Sequence, residues 1–257
     1  MRVTFIGSGN VATVLGRKVL NAGHSVLQVF SRDHVHAKEL ADEMQASPVS
    51  SVSELDPSAD IYIIAIADDS LNGIHNWLKL NGQLVVHTAG SVSIDVLKGI
   101  SRNYGVLYPL QSLRKEKRNA PDIPFLIDGN NEENKITLEQ FAATISAVVR
   151  FAGDTERRKL HLAAVISNNF SNHLYTLTED FCNKESVDFR ILIPLISETV
   201  NGLRDHLPAT LQTGPAVRND LATIDKHLQL LKTYPDLLSL YEMFTRSIQS
   251  LNKKIPV

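Results

Sequence analysis

The sequence predicts an α/β protein in which a mostly parallel sheet with helices on both faces is followed by an all-α carboxyl-terminal domain. Short apolar runs alternate with helical patterns up to about residue 153, which is typical of a parallel sheet covered on both sides. Beyond Gly153 the alternation stops, and a helical spacing of apolar residues continues. A chain of 257 residues is long enough for two domains, and we place them at residues 1–154 and 155–257.

The first strand, residues 3–6, leads directly into a turn with the pattern G-x-G-x-x-A. Gly7 permits the tight turn, Gly9 allows a pyrophosphate to approach the main chain, and Ala12 lets the next helix, residues 10–22, pack against the sheet. A plain glycine turn is the alternative, but the strand before the motif and the helix after it favour a Rossmann-like dinucleotide-binding domain. The predicted cofactor-binding residues of this turn, where N–H groups at a helix start face phosphates, are Gly7, Ser8, Gly9, Asn10 and Val11.

The other predicted elements continue the same alternation. Strands are predicted at residues 25–30, near 49, and at 61–66, 83–87, 105–108, 125–127 and 148–151, with helices at 34–44 and 132–147. Asp33 is the candidate N-cap of the helix at 34–44. Beyond the sheet we expect a long helix at 156–183 and a second at 188–204, started late or kinked by Pro194. One or two further helices continue to about Leu251, with an interruption near Pro235.

The residues after the second strand indicate which dinucleotide is bound. NAD-binding folds place an acid there that bonds the ribose hydroxyls, whereas this chain has Ser31 followed by Arg32. A hydroxyl and a guanidinium can bind a 2′-phosphate, which a carboxylate would repel. The sequence therefore favours NADP over NAD. The alternative is that Arg32 is simply exposed and that Asp33 is the ribose ligand.

Composition limits the classes of binding partner and the cellular compartment that we expect for this protein. A net charge of −2 creates no global field toward nucleic acid or an anionic membrane. The single cysteine, Cys182, excludes an internal disulfide and fits a reducing cytosol. The sequence shows no signal peptide and no apolar run long enough to span a bilayer. We therefore expect a cytoplasmic protein with a small-molecule substrate and no nucleic-acid, membrane or metal partner.

Small and polar residues follow the fourth and fifth strands, at the edge of the sheet where ligands of such folds lie. Ala67 allows a cofactor to lie close, and the acids Asp68 and Asp69 either cap the next helix or act on substrate. Thr88 and Ser91 can reach the nicotinamide amide or the substrate. We assign Thr88 to the cofactor and Ser91 to the substrate.

Two further residues at this edge carry less specific signals. His87, at the end of the fifth strand, is interpreted as a buried histidine bonded to the backbone rather than as a catalytic group. Tyr108 ends the sixth strand and is expected to form a wall of the pocket.

The long helix carries an unusual polar face. His161, Asn168, Asn172 and Tyr175 recur at helical spacing, interrupted by Val165. Such a face suggests either a pocket lining or a hydrogen-bonded helix–helix or dimer interface. Reduction of a C=O or C=N bond leaves a heteroatom that needs a proton, which histidine supplies near neutral pH. We therefore predict His161 as the proton donor and Asn168 as the group that orients the substrate.

A Gly-Pro loop supplies the last candidate site. Thr213 precedes the loop formed by Gly214 and Pro215, and Arg218 follows it. Arg218 suits a substrate carboxylate or phosphate, and we assign Thr213 and Arg218 to substrate binding. Asp220 is expected to cap the next helix, and a purely structural contact between Arg218 and Asp220 is the alternative.

Taken together, these segments resemble an NADP-binding oxidoreductase-like family. Its members join a Rossmann-like domain to an uncharacterised helical domain and are related to pyrroline-5-carboxylate reductase, 6-phosphogluconate dehydrogenase and the 3-hydroxyacid dehydrogenases. The resemblance implies NADP binding, oxidoreductase activity and a homodimer formed partly through the helical domains. One departure is Val165, which stands where the hydroxyacid dehydrogenases carry a lysine one turn before the asparagine. The segments that carry the resemblance are the glycine turn, residues 87–91, residues 107–111, His161 with Ser167 and Asn168, and residues 213–220.

The expected function is an NADP-dependent oxidoreductase that transfers hydride between NADP(H) and a small, anionic C=O or C=N substrate. The absent lysine supports an alternative, a non-catalytic NADP(H)-binding redox sensor or cofactor-binding module. A reductase that uses a deazaflavin coenzyme beside NADP is a third reading, which no residue requires.

Overall fold

A computed structural model describes residues 1–117 and 122–252. The chain divides into a compact first unit, Met1–Ser167, and a second unit that begins at Asn168. The division at residues 154 and 155 that we drew from the sequence stays a prediction about domains.

The first unit contains one eight-stranded sheet. Its strands are β1 (Arg2–Ile6), β2 (Ser25–Phe30), β3 (Ser47–Val49), β4 (Ile61–Ile64), β5 (Leu84–His87), β6 (Asn103–Pro109), β7 (Phe125–Gly129) and β8 (Val149–Phe151). The spatial order is β3-β2-β1-β4-β5-β6-β7-β8. Every pairing is parallel except that of β6 with β7. The strand order reverses between β1 and β4, and this reversal opens a crevice for ligands at the carboxyl ends of both strands.

Helices cover both faces of the sheet, as predicted. They are α1 (Asn10–Asn21), α2 (His34–Met44), α3 (Asp68–Leu71), α4 (Glu132–Ile145) and α5 (Asp154–Ala164). Alternate residues of a strand point to opposite faces, so Ile63 packs in one apolar cluster with Leu15 of α1 and Leu138 of α4. Ile64 packs in the other cluster, with Leu71 of α3. Burial on both faces explains why β4 is apolar at every position.

The second unit is helical. Its helices are α6 (Ser171–Lys184), α7 (Ile193–Gly202), α8 (Pro215–Arg218), α9 (Leu221–Leu230) and α10 (Pro235–Asn252). Pro194 lies in the first turn of α7, where its missing N–H costs nothing, so the predicted late start of this helix is confirmed. The interruption predicted near Pro235 is also confirmed, because α10 begins there.

The prediction of one uninterrupted α-helix over residues 156–183 is wrong in one respect. Between α5 and α6 the chain forms a π-helical segment, Val165–Phe170. A π-helix bonds each residue to the fifth along the chain and not to the fourth. The α-helical spacing behind the predicted polar face therefore does not hold through this segment.

Within the described ranges, no helix is both long and apolar enough to cross a membrane. The same residues contain no group of three His, Cys, Asp or Glu side chains placed to hold a metal ion.

Candidate functional site

The glycine turn after β1 has the geometry that its sequence requires. Gly7 has a positive φ of 116°, and a Cβ at this position would lie 2.2 Å from the carbonyl oxygen of Ala65. Gly9 differs, because its φ is an ordinary −84° and a Cβ there would meet nothing within 4 Å. The fold therefore excludes a side chain at Gly7, whereas at Gly9 it leaves open space beside the main chain.

Helix α1 begins directly at this turn without a side chain that caps it. Gly9 is its N-cap and makes no side-chain hydrogen bond. The first N–H groups of a helix have no partners within the helix, and with the helix dipole they form an anion-binding site. The open space at Gly9 and the uncapped helix start together fit the pyrophosphate of a dinucleotide.

A groove of about 670 Å³ runs from this turn along the carboxyl edge of the sheet. The ends of three neighbouring strands line it, with residues 7–9 after β1, Phe30 at the end of β2 and 31–33 after it, and 65–67 after β4. Its size lies within the usual range of ligand pockets, about 300–1,000 Å³. The structure therefore brings together six of the predicted cofactor-binding residues, which are Gly7, Ser8, Gly9, Ser31, Arg32 and Ala67.

The adenosine end of the groove holds the residues that bear on cofactor choice. The Asp33 carboxylate caps α2 by accepting hydrogen bonds from the N–H groups of Val35 at 2.9 Å and His36 at 3.2 Å. Its other oxygen lies 3.3 Å from Nδ1 of His36. Ser31 Oγ accepts from the N–H of Asp33 at 3.2 Å. No side chain or carbonyl in the described part of the chain pairs with the exposed guanidinium of Arg32.

Sequence reasoning missed the outer wall of the groove. Trp77 is 41% exposed and stacks on Phe30, with the ring centroids 5.7 Å apart and the planes 24° from parallel. Asn72 and Asn76 lie beside them in the lining. An aromatic face and amide groups suit a nucleobase. The contact joins residues far apart in the sequence, so no short sequence pattern predicts it.

Three other predicted cofactor residues have different surroundings. Asn10 lines a smaller neighbouring cavity of about 380 Å³, and its Oδ1 accepts a hydrogen bond from the N–H of Lys115 at 3.3 Å. Val11 packs against the apolar core. Thr88 is buried, and its hydroxyl donates to the carbonyl oxygen of Ile64 at 3.3 Å.

Further along the edge, the ends of β5 and β6 form a polar cluster with α3 and α5. The Ser91 hydroxyl donates to the Asp68 carboxylate at 2.6 Å. Asp68 lies in the first turn of α3, whose N-cap is Ala67 and has no side-chain bond, so of the two roles left open for Asp68 the structure excludes capping of this helix. The Tyr108 hydroxyl lies 2.8 Å from Nδ1 of His161. Burial first, and then the Asp68 carboxylate, raise the pKa of Tyr108, so this phenol keeps its proton at neutral pH.

Behind this cluster lies a buried charged group. Arg157 is 0% exposed and donates from Nη2 to the carbonyl oxygen of Val92 and to the Asp154 carboxylate, the latter at 2.7 Å. Burial opposes ionisation of Asp154, but hydrogen bonds from Ser93 and Ile94 and the charge of Arg157 hold its pKa below the usual value. The start of α5 is thereby tied to the loop after β5.

The interpretation of His87 as a buried histidine bonded to the backbone is confirmed. Its ring is 0% exposed, and its Nδ1 accepts a hydrogen bond from the N–H of Ala89 at 3.2 Å. Burial above all, and then the charge of Arg157, lower the pKa of His87 to about 4. The ring is therefore neutral at pH 7.

The remaining predicted site residues belong to the second unit. Asn168, Thr213 and Arg218 are exposed. Asp220 caps α9 by accepting from the N–H of Thr223 at 3.1 Å, as predicted.

Comparison with known proteins identifies the family. The model for "NADP oxidoreductase coenzyme F420-dependent" matches residues 2–91, and a domain of unknown function, DUF2520, matches residues 123–248. A solved protein from Bacteroides fragilis, provisionally described as an NADP oxidoreductase, is 36% identical, with a TM-score of 0.89 over 97% of this chain and 98% of its own. The chain belongs to this NADP oxidoreductase family. The family resemblance drawn from the sequence is thus confirmed.

More distant solved structures share the fold of this oxidoreductase family. Pyrroline-5-carboxylate reductase from Streptococcus pyogenes is 14% identical, with a TM-score of 0.65 over 97% of this chain and 98% of its own. A reductive aminase from Aspergillus terreus, solved with NADPH and ethyl-5-oxohexanoate, is 16% identical, with a TM-score of 0.71 over 97% of each chain. No curated protein matches the sequence.

Proposed function

We propose that the protein is an NADP-dependent reductase that transfers hydride between NADP(H) and a small, anionic substrate with a C=O or C=N bond. The observation that carries the proposal is the open space at Gly9, beside an uncapped helix start and within a groove that also contains Arg32. Reductases of the same fold with NADPH or NADP+ bound support the choice of cofactor class.

The residues of the groove fit the parts of NADP in order. The N–H groups at the start of α1 hold the pyrophosphate, and Ser31 and Arg32 hold the 2′-phosphate. The Asp33 carboxylate already accepts the hydrogen bonds that cap α2. A carboxylate in that role is a poor ligand for ribose hydroxyls, which supports NADP over NAD. Trp77 provides an aromatic wall for the adenine.

The proposed chemistry takes place at the polar cluster formed by the ends of β5 and β6 with α3 and α5, and it needs a proton donor. A bound nicotinamide supplies the hydride, and His161 supplies the proton to the substrate heteroatom. Ser91 contributes a hydroxyl for substrate binding. Asn168, Thr213 and Arg218 keep the substrate-orienting roles that their amide, hydroxyl and guanidinium groups suggest, and the guanidinium favours an anionic substrate.

We further propose that the protein works as a homodimer, formed through its helical unit. From Asn168 onward the described apolar residues that are buried are Cys182, Ala216 and Ile224. Many large apolar side chains are at least half exposed, including Ile191 at 75%, Leu195 at 66% and Leu207 at 74%. A monomer rarely leaves so much apolar surface in contact with water. A cytoplasmic location remains a proposal that rests on the single cysteine.

Turnover of NADPH against a panel of keto acids, aldehydes and imines tests this function. We expect oxidation of NADPH, followed by its absorbance, with at least one class and loss of that activity by about a hundredfold or more in His161→Gln. Thermal unfolding of the variant controls for its fold. Full activity in His161→Gln would remove this histidine from the mechanism.

The redox-sensor alternative keeps one specific observation in its favour, the valine at position 165. Tight NADPH binding without turnover of any substrate class would select it over the reductase.

A further inference from the structure

A tyrosine and a histidine are joined at the carboxyl end of β6. The Tyr108 hydroxyl lies 2.8 Å from Nδ1 of His161, although the residues are 53 positions apart in the chain. The rings meet edge to face, with centroids 5.8 Å apart and planes at 72°. Tyr108 is 9% exposed and His161 is half-buried, so the hydrogen bond between them is partly shielded from water.

A glycine makes room for this pair. A Cβ on Gly90 would lie 2.7 Å from Nδ1 of His161 and 2.7 Å from Cζ of Tyr108. Both atoms belong to the two groups that form the hydrogen bond, so any side chain at position 90 must push them apart. The segment after β5 is thus shaped around the pair.

Helix α5, which carries His161, is held to the loop after β5 by partly buried polar contacts. Arg157 lies one turn earlier on α5 and is tied to Val92 and Asp154. Asp154 also accepts a hydrogen bond from the N–H of Ile94 at 3.1 Å. These contacts anchor the start of α5 to the loop after β5 and so hold the backbone that carries His161 beside this loop.

The Tyr108 hydroxyl can act as a hydrogen-bond donor or as an acceptor toward Nδ1 of His161. An imidazole that exchanges protons alternates between a charged form with two N–H donors and a neutral form with one donor and one acceptor. A hydroxyl both donates and accepts, so it can bond Nδ1 in the charged ring and in either tautomer of the neutral ring. A carbonyl can only accept from Nδ1–H, and an N–H group can only donate to a bare Nδ1. The charged groups near Tyr108 are Asp68, which favours its protonated form, and Arg157, which opposes it.

We propose that Tyr108 is the positioning residue for His161: it holds Nδ1 in both charge states, so that Nε2 exchanges the proton with the substrate. This inference rests on the proposed reductase function. In the reducing direction the substrate carbon would accept a hydride, a proton with two electrons, from bound NADPH, and the C=O or C=N π electrons would move to the heteroatom. The Nε2–H bond of the imidazolium then breaks, its proton bonds to that heteroatom, and the neutral ring is reprotonated by solvent.

Nuclear magnetic resonance of the protein with ¹⁵N-labelled histidine tests the pairing without any substrate. The His161 signals are identified by their loss in His161→Gln. In acidic solution we expect the Nδ1–H proton of His161 to exchange with water far more slowly than that of the exposed His34. In Tyr108→Phe this protection should disappear, and the Nδ1 resonance of the neutral ring should shift.

Two other variants distinguish loss of the contact between Tyr108 and His161 from a general disturbance of the fold. Tyr104→Phe changes a tyrosine of the same strand that packs against a different cluster, and it should leave the His161 signals unchanged. Gly90→Ala removes no polar atom but should abolish the protection, because its Cβ displaces both rings. Rapid exchange at Nδ1 of the wild-type protein would overturn the proposal without reference to any variant, and so would unchanged signals in a folded Tyr108→Phe.

Activity and binding distinguish failure of this inference from failure of the reductase function. NADPH should bind Tyr108→Phe as it binds the wild-type protein, while kcat falls about tenfold and KM changes little. If the wild-type protein does not bind NADPH, the reductase function and the catalytic role of the pair fail. If NADPH binds and kcat of Tyr108→Phe equals that of the wild type, the positioning role alone is wrong.

Discussion

Burial decides which histidine at the carboxyl edge is available for chemistry. His87 and His161 both belong to the predicted active region, yet His87 is 0% exposed and accepts a hydrogen bond from the backbone. His161 is only partly buried, and Tyr108 holds one of its ring nitrogens. The two rings therefore have different tasks. His87 is part of the buried core, and His161 is the residue that we propose as the proton donor.

The lowered pKa of His87 predicts a pH-dependent stability. The unfolded chain binds a proton at this ring near pH 6.5 and the folded chain only near pH 4. Stability from this group is therefore complete above pH 6.5 and is lost as the pH falls toward 4. When the pH falls from 7 to 5, the lowered pKa of His87 should reduce the free energy of unfolding by about 2 kcal/mol.

Urea unfolding of the wild-type protein and of His87→Gln at the two pH values measures this difference, with His34→Gln as an exposed control. The wild type should lose more stability on acidification than His87→Gln does. An equal loss in the two proteins would show that His87 does not titrate as its burial requires.

Arg32 carries the prediction about cofactor choice. Arg32→Ala should weaken NADPH binding about tenfold or more, since charge-assisted hydrogen bonds to the 2′-phosphate are lost, and should leave NADH binding unchanged. Calorimetric titration measures both, and Lys38→Ala provides a control with the loss of an exposed cation on α2. Equal weakening of NADPH and NADH would make Arg32 structural.

Residues whose role follows from local chemistry were predicted correctly from the sequence. Gly7 and Asp33 are examples, because a turn conformation and a helix cap depend on near neighbours. Trp77 with Phe30 and Tyr108 with His161 were missed as pairs. Each contact joins separate elements, so it exists only once the sheet has assembled.

At the scale of elements, the sequence pattern located every strand of the sheet. It is clearest in β4 and β5, which are buried at every position, because strands covered on both faces are largely apolar. It did not reveal the π-helical segment Val165–Phe170. A π-turn depends on where one residue is accommodated between two helices, and side-chain type does not report that. The α-helical spacing from which the polar face was predicted therefore does not apply at Asn168, which lies within this segment.

Helix α2 provides a test of whether Asp33 caps a helix or binds ribose. Asp33→Ala should lower the free energy of unfolding by about 1 kcal/mol, whereas Asp33→Ser keeps a capping oxygen and should change it little. Neither variant should weaken NADPH binding. Selective loss of cofactor affinity in both variants, without loss of stability, would instead make Asp33 a ribose ligand.

At the scale of the whole molecule, the two parts of the chain bury their apolar residues to very different degrees. The first unit has apolar clusters on both faces of its sheet, whereas the helical unit leaves side chains such as Ile191 and Leu207 exposed. Burial of a large apolar side chain contributes about 1.5–3 kcal/mol. A second copy of the chain is the partner proposed to cover this surface.

Light scattering during gel filtration tests the dimer. The wild-type protein should have twice the monomer mass of 28.5 kDa. Ile191→Asp with Leu195→Asp should shift the protein toward the monomer, because a carboxylate in an apolar interface is costly. Glu198→Ala, a change on α7, the helix that carries Leu195, is the control. A wild-type protein of monomer mass at all concentrations would contradict the proposal.

Calorimetric titration of NADPH into the wild-type protein and Gly9→Ala tests most directly whether the glycine turn binds the cofactor. A methyl group at Gly9 meets no protein atom within 4 Å, so the variant should unfold at the wild-type temperature yet bind NADPH about tenfold more weakly or worse. Gly153→Ala, which changes the glycine N-cap of α5, should bind NADPH normally. A wild-type protein that does not bind NADPH, or a Gly9→Ala variant that binds it as tightly as the wild type, would contradict this account.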